Sequence, residues 1–293
     1  MTESARVYPV DPGYSLSQTC GPVAWARGRW SNLDWIDGAL IWLGEENSAV
    51  VHRRVEQIGS TLIVTGTADP AQDRGWLAHT QGIDRSMPVF TDPVVMNLAE
   101  KFPGLRPHAS GSLFDSLIGC IVGQSITVAA AAVVESRICA IFDPGMELFG
   151  RRFFAHPTPS TLAQASSALI RATGVTWRRA EAIVSIAQLA AAGAMPSKAE
   201  AVEAPDETRR WLHSLPLVGP WTAESVLLWG LADGDAYPPG DAALLRAVKR
   251  AYASDAFDHK RLNQLSEQWR PVRAWAARLL WTALLGPAPV SGG

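Results

Sequence analysis

An aspartate at a predicted helix start is the residue of this sequence best suited to chemistry. Asp241 follows Tyr237-Pro238-Pro239-Gly240 and precedes an apolar periodic segment, so the prolines and the glycine deliver its side chain to a helix N-terminus. A carboxylate at that position accepts hydrogen bonds from backbone amides, and capping the helix is its usual role. A carboxylate fixed in this way can also stabilise a developing cation or orient an attacking water. Because the two roles are compatible, Asp241 is the candidate catalytic residue.

Upstream of this aspartate, the segment RRWLHSLPLVGPWTAESVLLWGL (residues 209–231) predicts a helix, a tight turn and a second helix that starts near Trp221. Gly219 permits close backbone approach. The amides of Gly219, Trp221 and Thr222 are expected at the positive end of the second helix, where a phosphate is stabilised. A plain helical hairpin, in which Pro and Gly only turn the chain, is an equal alternative. Leu217 stands where phosphate-binding hairpins usually carry a first glycine, and the proline after Gly219 removes one amide donor.

The elements that must position these residues fall into a β-rich beginning and a helical remainder. Short β-rich runs, separated by turn residues such as Asp11-Pro12-Gly13, predict a small antiparallel sheet with a flanking helix. The runs are Ala39–Trp42, Ala49–Val55 and Thr61–Val64. From about Pro93 onward, apolar residues recur every three to four positions, which indicates helices. Among them we predict one helix over about 160–172 and the next over Trp177–Leu189.

The predicted fold class is mainly α (α+β), with an N-terminal antiparallel sheet domain followed by a helical assembly of two subdomains. Residues 1–92 form the predicted α/β sheet domain. Residues 93–116 together with 234–293 form the helical subdomain that carries Asp241, and residues 117–233 form the one that carries the hairpin. The cleft is expected between the two helical subdomains, with the later part of the chain packed back on the earlier part.

Composition restricts the class of protein. The chain has 293 residues, 47% of them hydrophobic, a formal net charge of −2 and a pI near 6.3, so any contact with nucleic acid must be local. The sequence shows no basic start followed by an apolar run and no long apolar stretch, which favours a cytosolic protein without membrane segments. The widely spaced Cys20, Cys120 and Cys139 are expected to be reduced core residues. The tail Pro287–Gly293 is expected to be disordered.

Several segments, in the same order, resemble one known family. The hairpin LPLVGPWTAESV followed by YPPGDAALLRAV is similar to the helix-hairpin-helix and Gly/Pro-Asp signature of the base-excision DNA glycosylase superfamily (HhH-GPD). The similarity extends upstream to LFDSLIGCIVGQSITVAAAAVV and HPTPSTLAQASSALIRATGVTWRRAEAIVSIA and downstream to SEQWRPVRAWAARLLW, and it covers about residues 103–285. Together these segments resemble the bacterial 3-methyladenine DNA glycosylase II branch.

The resemblance implies a monofunctional DNA glycosylase of base excision repair. Such an enzyme flips alkylated purines of the 3-methyladenine type out of duplex DNA and hydrolyses their N-glycosidic bond. Asp241 occupies the place of the essential carboxylate. Members that also cleave the DNA backbone carry a lysine just after the hairpin, where this chain has Trp221, so no lyase activity is expected. No cysteine follows Cys139, which disfavours the branch with an iron-sulfur cluster, and no cofactor is expected to be required.

Further site residues follow from the resemblance alone. Trp281 and Trp221 occupy places that form two walls of the base pocket, and aromatic walls attract a positively charged methylated purine. Ser225, on the pocket-facing helix, stands where the closest relatives have a tyrosine, which can widen the site and alter substrate choice. Gln124 and Ser125 fall where the family pushes a side chain into the gap left by the flipped nucleotide. Ser125 is small for that task, so Gln124 or a neighbouring loop is expected to fill the gap.

The resemblance also implies a cation and a partner. It places a monovalent or similar cation between a DNA phosphate and hairpin carbonyls, which here are those of His213, Leu215 and Val218. The expected partner is duplex DNA containing damaged bases, and the protein is expected to act as a cytoplasmic, nucleoid-associated monomer. Two alternatives stay open: another specificity, for deaminated or oxidised bases, and a non-catalytic protein that clamps damaged DNA with the hairpin. Asp241 disfavours the clamp, because an anion near DNA weakens binding.

Overall fold

An antiparallel sheet forms the N-terminal part of the computed structural model, which describes residues 5–290. Its strands are β1 (Arg6–Pro9), β2 (Leu33–Ile36), β3 (Ala39–Glu46), β4 (Ala49–Ile58) and β5 (Thr61–Thr65). They lie in the order β1-β5-β4-β3-β2. The three predicted runs lie within β3, β4 and β5. Asn47 and Ser48 join β3 to β4 with φ angles of 51° and 62°, and positive values at both positions are typical of a tight hairpin turn.

Alternate residues of β3 face two different layers, as the period of two along a strand dictates. The helices beside the sheet are α1 (Leu16–Thr19), α2 (Gly21–Trp25) and α3 (Pro70–Gln81). Leu40 packs in one core with Leu77 of α3, whereas Ile41 packs in another with the fully buried Phe153. The sheet is therefore covered on both faces.

The layer on the second face is a hairpin in a region where only helices were predicted. Strands β6 (Met146–Leu148) and β7 (Arg151–Phe153) pair around Phe149-Gly150, and both turn residues have positive φ. The expectation of helices throughout the chain after Pro93 was wrong here. Strands of three residues are too short to give a periodic signal. Their apolar side chains pack against β3, with Phe153 buried and Met146 and Leu148 partly buried.

Twelve helices form the rest of the described chain, together with a 3-10 turn at Glu267–Trp269. They are α4 (Pro93–Lys101), α5 (Leu113–Gly123), α6 (Val128–Phe142), α7 (Pro159–Ala163), α8 (Ser167–Arg171), α9 (Trp177–Ala191), α10 (Lys198–Glu203), α11 (Pro205–His213), α12 (Pro220–Leu231), α13 (Ala242–Ala251), α14 (His259–Ser266) and α15 (Arg273–Leu285). Helix α5 packs against α12 and α6, and α15 packs against α13 and α4. The predicted fold class is confirmed, while the boundaries of the three units stay a prediction.

Two helices replace the single one predicted over about 160–172. Helix α7 ends at Ala163, and Ser166 then caps α8 by accepting a hydrogen bond from the Leu169 amide at 3.2 Å. A capping serine starts a new helix and thereby interrupts the old one, although the apolar period continues across the break. The next predicted helix is present as α9, which extends to Ala191.

The chain after α15 packs against the N-terminal part, contrary to the predicted disordered tail. Ala288 is 1% exposed, and its amide donates to the Ser17 carbonyl at 2.9 Å. The composition of the tail suggested disorder. It could not reveal the contact that buries Ala288, because that contact is with a segment distant in sequence. Residues 291–293 of that tail, and residues 1–4, lie outside the described residues.

The state of the cysteines and the lack of membrane segments were both expected from the sequence. All three cysteines are free, and Cys20 and Cys139 are buried, but Cys120 is only partly buried. Burial raises the pKa of the Cys120 thiol to about 12, so it is not a reactive nucleophile. Within residues 5–290, no helix combines the length and the apolar character needed to cross a membrane.

Candidate active site

A cleft of about 1960 Å³ lies between the helices and the N-terminal sheet. Helices α5, α12, α13 and α15 contribute side chains to it, and β3 and α3 contribute Trp42 and Trp76. Eight predicted site residues line the cleft: Asp241, Trp221, Trp281, Ser225, Gly219, Thr222, Gln124 and Ser125. His213, Leu215 and Val218, the predicted cation ligands, do not line it and lie at the end of α11 and in the turn that follows.

Asp241 caps α13 and lines the cleft. Its Oδ1 accepts a hydrogen bond from the Leu244 amide at 2.7 Å, and its Oδ2 accepts one from Trp221 Nε1 at 3.0 Å. The first bond is the predicted helix cap, and the second ties the carboxylate to α12. A carboxylate has about four acceptor sites, so each oxygen keeps a free lone pair. Asp241 is therefore held in one orientation and can still accept a hydrogen bond from a water.

The turn between α11 and α12 contains both departures from the usual hairpin sequence. Leu217, which stands in place of a glycine, has a positive φ of 62°. Because a bulky side chain rarely adopts this conformation, the turn needs support from outside, and Gln124 Nε2 donates to the Leu217 carbonyl at 2.8 Å. Pro220 is the first residue of α12, where an amide would have no partner within the helix. The hairpin therefore forms despite both departures.

Open space and unused amides mark the N-terminus of α12. Gly219 is exposed with an extended backbone, and a Cβ atom at this position would meet nothing within 4 Å. No contact within the described chain therefore requires a glycine here. Among residues 5–290, the amides of Gly219, Trp221 and Thr222 find no acceptor. Free donors at the positive end of a 12-residue helix form a site that stabilises an anion.

The predicted cation ligands are carbonyl oxygens around the same turn. The Leu215 carbonyl accepts a hydrogen bond from the Val218 amide at 3.3 Å and keeps one lone pair. In the part of the chain that the structure describes, the carbonyls of His213 and Val218 accept no hydrogen bond. Carbonyl oxygens are suitable ligands for a monovalent cation, so this donor set fits such an ion. Within residues 5–290, no group of three His, Cys, Asp or Glu side chains could hold a metal ion.

Two stacked indoles line the cleft together with Asp241. Trp281, which is 4% exposed, stacks on Trp229 with ring centroids 5.5 Å apart and an interplanar angle of 28°. Trp229 was not among the predicted pocket residues. Trp221, Ser225 and Trp229 are spaced four residues apart and share one face of α12, and this spacing was the available signal. Ser225 is buried, lies between Trp221 and Trp229 along the helix, and lines the cleft.

Gln124 connects α5 to the hairpin and to α9. Its Nε2 donates to Thr222 Oγ1 at 3.0 Å as well as to the Leu217 carbonyl. Its own carbonyl accepts a hydrogen bond from Arg179 at 2.5 Å. The side chain expected to fill the gap in DNA is thus bonded within the protein. Ser125, the other residue expected there, is exposed and has a positive φ of 61°.

A charged cluster that the sequence analysis missed also lines the cleft. His156 Nδ1 lies 3.4 Å from Asp115, and its Nε2 lies 3.2 Å from Glu135. Burial lowers the pKa of His156, but its acidic neighbours, led by Cys139 and Asp115, outweigh burial and raise the pKa well above its usual value. Burial raises the pKa of Asp115, and His156 outweighs that effect and lowers it. The cluster joins residues far apart in the chain, so no local motif reveals it.

Comparison with known proteins decides the family. The family model described as "HhH-GPD superfamily base excision DNA repair protein" matches residues 118–271, which is more than half of the chain. The chain belongs to the HhH-GPD superfamily. The matched range contains the hairpin and Asp241, so the resemblance recognised in the sequence is confirmed.

Two bacterial relatives are similar to this HhH-GPD protein over part of their length. DNA-3-methyladenine glycosylase 2 of Escherichia coli is 26% identical over 194 residues, which are 66% of this chain and 66% of the relative. DNA-3-methyladenine glycosylase of Bacillus subtilis is also 26% identical over 194 residues, which are 66% of this chain and 64% of the relative. The matches thus span just under two thirds of these relatives.

Solved structures show the same HhH-GPD fold over nearly the whole chain. The 3-methyladenine DNA-glycosylase of Archaeoglobus fulgidus has a TM-score of 0.74 at 20% identity and covers 96% of this chain and 97% of its own. MBOgg1, solved with a low-affinity DNA ligand, has a TM-score of 0.74 at 19% identity over the same shares. The N-terminal sheet is therefore part of an architecture that these proteins have in common.

Proposed function

We propose that this HhH-GPD protein is a monofunctional DNA glycosylase that removes alkylated purines from duplex DNA by hydrolysis. The observation that carries the proposal is the placement of Asp241. Its carboxylate lies in an aromatic cleft and is bonded to Trp221, next to the free amides of α12. A phosphate held by those amides and a base held against the indoles would bring the linking sugar to the carboxylate. The names of the relatives, which are 3-methyladenine glycosylases, support the alkylated-purine class.

In the proposed reaction, Asp241 stabilises the sugar as the bond between C1′ and the base nitrogen breaks. The electron pair of that bond leaves with the base, and positive charge develops on the sugar beside the carboxylate. A water oriented by a free lone pair of Asp241 adds its oxygen to C1′ and gives one proton to the solvent, which leaves an abasic site and a neutral methylated base. The bond from Trp221 Nε1 keeps the carboxylate aimed during these steps.

Backbone cleavage requires an amine that forms a Schiff base with the sugar. At the hairpin position, the side chain is the indole of Trp221, which donates to Asp241 and cannot form one. Lys198 lines the cleft as the first residue of α10, close to His79. We therefore propose hydrolysis without lyase activity. Reduction with borohydride during turnover should trap no protein–DNA adduct, and an adduct that disappears in Lys198→Ala would instead assign lyase chemistry to α10.

The hairpin is proposed to hold one DNA phosphate through the free amides of α12, with open space beside Gly219 for its approach. A monovalent cation at the carbonyls of His213, Leu215 and Val218 would add positive charge beside that phosphate. Neither contact requires a basic protein, which agrees with the net charge of −2. Duplex DNA with damaged bases is the proposed partner, and a cytoplasmic, nucleoid-associated monomer is the proposed form.

Base release from defined duplexes tests the proposal. Each duplex carries one methylated purine, hypoxanthine, uracil or 8-oxoguanine, and strand breaks are measured with and without alkali, which cuts abasic sites. We expect breaks in the methylated-purine duplex that appear only after alkali. Release of hypoxanthine or 8-oxoguanine alone would favour the other base specificity, and binding without any release would favour a non-catalytic clamp.

The substitution Asp241→Asn should lower the rate of base release by at least about 100-fold, because the amide cannot stabilise positive charge on the sugar. Asparagine still caps a helix, so folding is retained, and loss of a negative charge should preserve or raise DNA affinity. Asp258→Asn is the matched control, since Asp258 caps α14 through the Arg261 amide at 2.8 Å and is exposed away from the cleft. Undiminished release by Asp241→Asn would remove Asp241 from the mechanism.

A further inference from the structure

Arg278 is a buried cation that the proposed mechanism does not use. It lies on α15, one turn before Trp281, and is 3% exposed. Its Nη2 donates to the Leu228 carbonyl at 2.7 Å, whereas its buried Nε has no hydrogen-bond partner. Burial, followed by the nearby Arg85, lowers the pKa of Arg278 to about 9, and no carboxylate among the described residues pairs with this charge. The guanidinium remains protonated at neutral pH all the same.

An unpaired buried charge opposes folding, since the cost of removing it from water is repaid only by an opposite charge or by full hydrogen bonding. Arg278 has neither among the residues that the structure describes. An apolar side chain would pack in the same place without that cost. A cation at this position is therefore best explained by an electrostatic effect on the neighbouring site.

The position of Arg278 directs that field at the candidate base pocket. Its guanidinium lies over the ring of Trp229, 4.7 Å from the centroid. Trp229 in turn stacks on Trp281, and both indoles line the cleft with Asp241. The cation thus contacts the aromatic stack against which the base is proposed to lie. Because an apolar surrounding screens charge weakly, the interaction extends to the base.

The charge of the departing base distinguishes two classes of substrate. When the bond to C1′ breaks, its electron pair goes to the base. A base that carries a positive charge in DNA becomes neutral, whereas a base that is neutral in DNA becomes an anion, which then takes the proton released by the attacking water. A fixed cation near the pocket stabilises the developing anion. The same cation repels a base that is already positive and opposes its cation–π attraction to Trp281.

We propose that Arg278, acting through the Trp229–Trp281 stack, adapts this site to alkylated purines that are uncharged in DNA and leave as anions, such as exocyclic adenine adducts. This inference rests on the proposed glycosylase function and names the substrate class of the same site. Arg278 is a positioning residue here, because it acts through the indoles and does not touch the base. The small side chain of Ser225 lines the same cleft on α12.

Single-turnover rate constants on two lesions test the inference. One duplex carries 1,N6-ethenoadenine, which is neutral, and the other carries 7-methylguanine, which is positive. We expect Arg278→Gln to lower the ratio of the first rate constant to the second by about tenfold, the effect of one charge in a weakly screened site. Arg278→Lys, which retains the charge, should keep the ratio near that of the unmodified protein.

Arg106 provides the matched control. It is 5% exposed, its Nη1 donates to the carbonyls of Pro103 and Leu105, and its buried Nε also has no partner. Within the described chain, Arg278 lies over the Trp229 ring, whereas Arg106 lies over neither indole of the stack. Arg106→Gln should therefore leave the ratio of rate constants unchanged. A ratio that does not change in Arg278→Gln, or that changes equally in Arg106→Gln, overturns the inference.

The unmodified protein supplies a second measurement that does not depend on whether the variants fold. Its rate enhancement over spontaneous base loss should be larger for 1,N6-ethenoadenine than for 7-methylguanine, and the reverse order overturns the inference. Release of either base with an unaltered ratio leaves the glycosylase function standing and rejects only the role of Arg278. Release of neither base rejects both.

Discussion

At the scale of single residues, the turn after α5 changes which side chain is suited to enter DNA. Ile126 is 41% exposed and lines the cleft, and its amide donates to the Gly123 carbonyl at 3.3 Å, which closes the turn. Gln124 is bonded to the hairpin, and Ser125 offers little apolar area. An exposed apolar side chain can insert between bases and occupy the space of a flipped nucleotide. Ile126 is therefore expected to fill the gap.

Replacing Ile126 by alanine should weaken binding to a duplex that contains an abasic-site analogue by about tenfold, because most of the inserted apolar area is lost. Fluorescence anisotropy measures this affinity directly. Val128→Ala is the control, since Val128 is also exposed, at 43%, and also lines the cleft. Equal losses in the two variants would show general surface contact, and no loss in Ile126→Ala would mean that another side chain fills the gap.

At the scale of elements, local signals predicted the hairpin and the capping aspartate, because each depends on neighbouring residues. The turn, the start of α12 and the cap of α13 all lie where the sequence indicated. Contacts between distant segments gave no such signal. Trp229 stacks on Trp281, and Arg278 lies over Trp229, only because α12 meets α15. The β6–β7 hairpin likewise depends on packing against β3, which is distant in sequence. The sequence thus indicated the cap at Asp241, and the family resemblance placed Trp221, Ser225 and Trp281 in the cleft, but neither indicated the stack with Trp229 or the charge behind it.

The cluster around His156 should hold α5, α6 and the segment before α7 together through charge. Loss of the imidazole in His156→Gln leaves Asp115 and the buried Glu135 as neighbouring anions without a cation, which should lower the free energy of unfolding by about 2 to 3 kcal/mol. Denaturant unfolding near pH 6 measures this difference. A loss below about 0.5 kcal/mol would mean that the cluster is not a stabilising contact.

The pH dependence of the same difference follows from the two pKa shifts. The pKa of His156 is raised in the folded state, so its contribution is complete below the ordinary value of 6.5 and disappears as pH rises through the folded pKa. The pKa of Asp115 is lowered, so its contribution is complete above 3.8 and disappears as pH falls through the folded pKa. The difference in the free energy of unfolding between the unmodified protein and His156→Gln should therefore be largest between pH 3.8 and 6.5. It should shrink as pH rises through the folded pKa of His156.

His108 provides the opposite case for comparison. Burial, followed by the cation of Arg278, lowers its pKa to about 3, so the folded state binds fewer protons than the unfolded state between about pH 3 and 6.5. The contribution of neutral His108 to stability therefore shrinks as pH falls below 6.5, and the difference between the unmodified protein and His108→Gln should shrink in acid. Identical pH dependence for the two histidine variants would contradict the assigned charges.

At the scale of the whole molecule, the chain after α15 connects the helix that carries Trp281 to the N-terminal part. Trp25 Nε1 donates to the Gly286 carbonyl at 2.8 Å, and Trp35 Nε1 donates to the Pro289 carbonyl at 2.6 Å. Ala288 packs in the same core as Leu40 of β3 and Leu77 of α3. These contacts cross from the last helix to the first third of the chain, so the sheet and the pocket wall are expected to unfold as one unit.

Ala288→Asp should therefore lower the Tm of the entire protein in a single transition. Ala288 is 1% exposed, and a carboxylate there would be buried without a partner, at a cost of at least about 2 kcal/mol, or about 5 °C in Tm. Val290→Asp is the control, because Val290 is 75% exposed and should change the Tm by less than about 1 °C. Calorimetry distinguishes the outcomes. A second, earlier transition in Ala288→Asp would show that the sheet unfolds separately from the helices, and an unchanged Tm would show that the contact of Ala288 with the core contributes no stability.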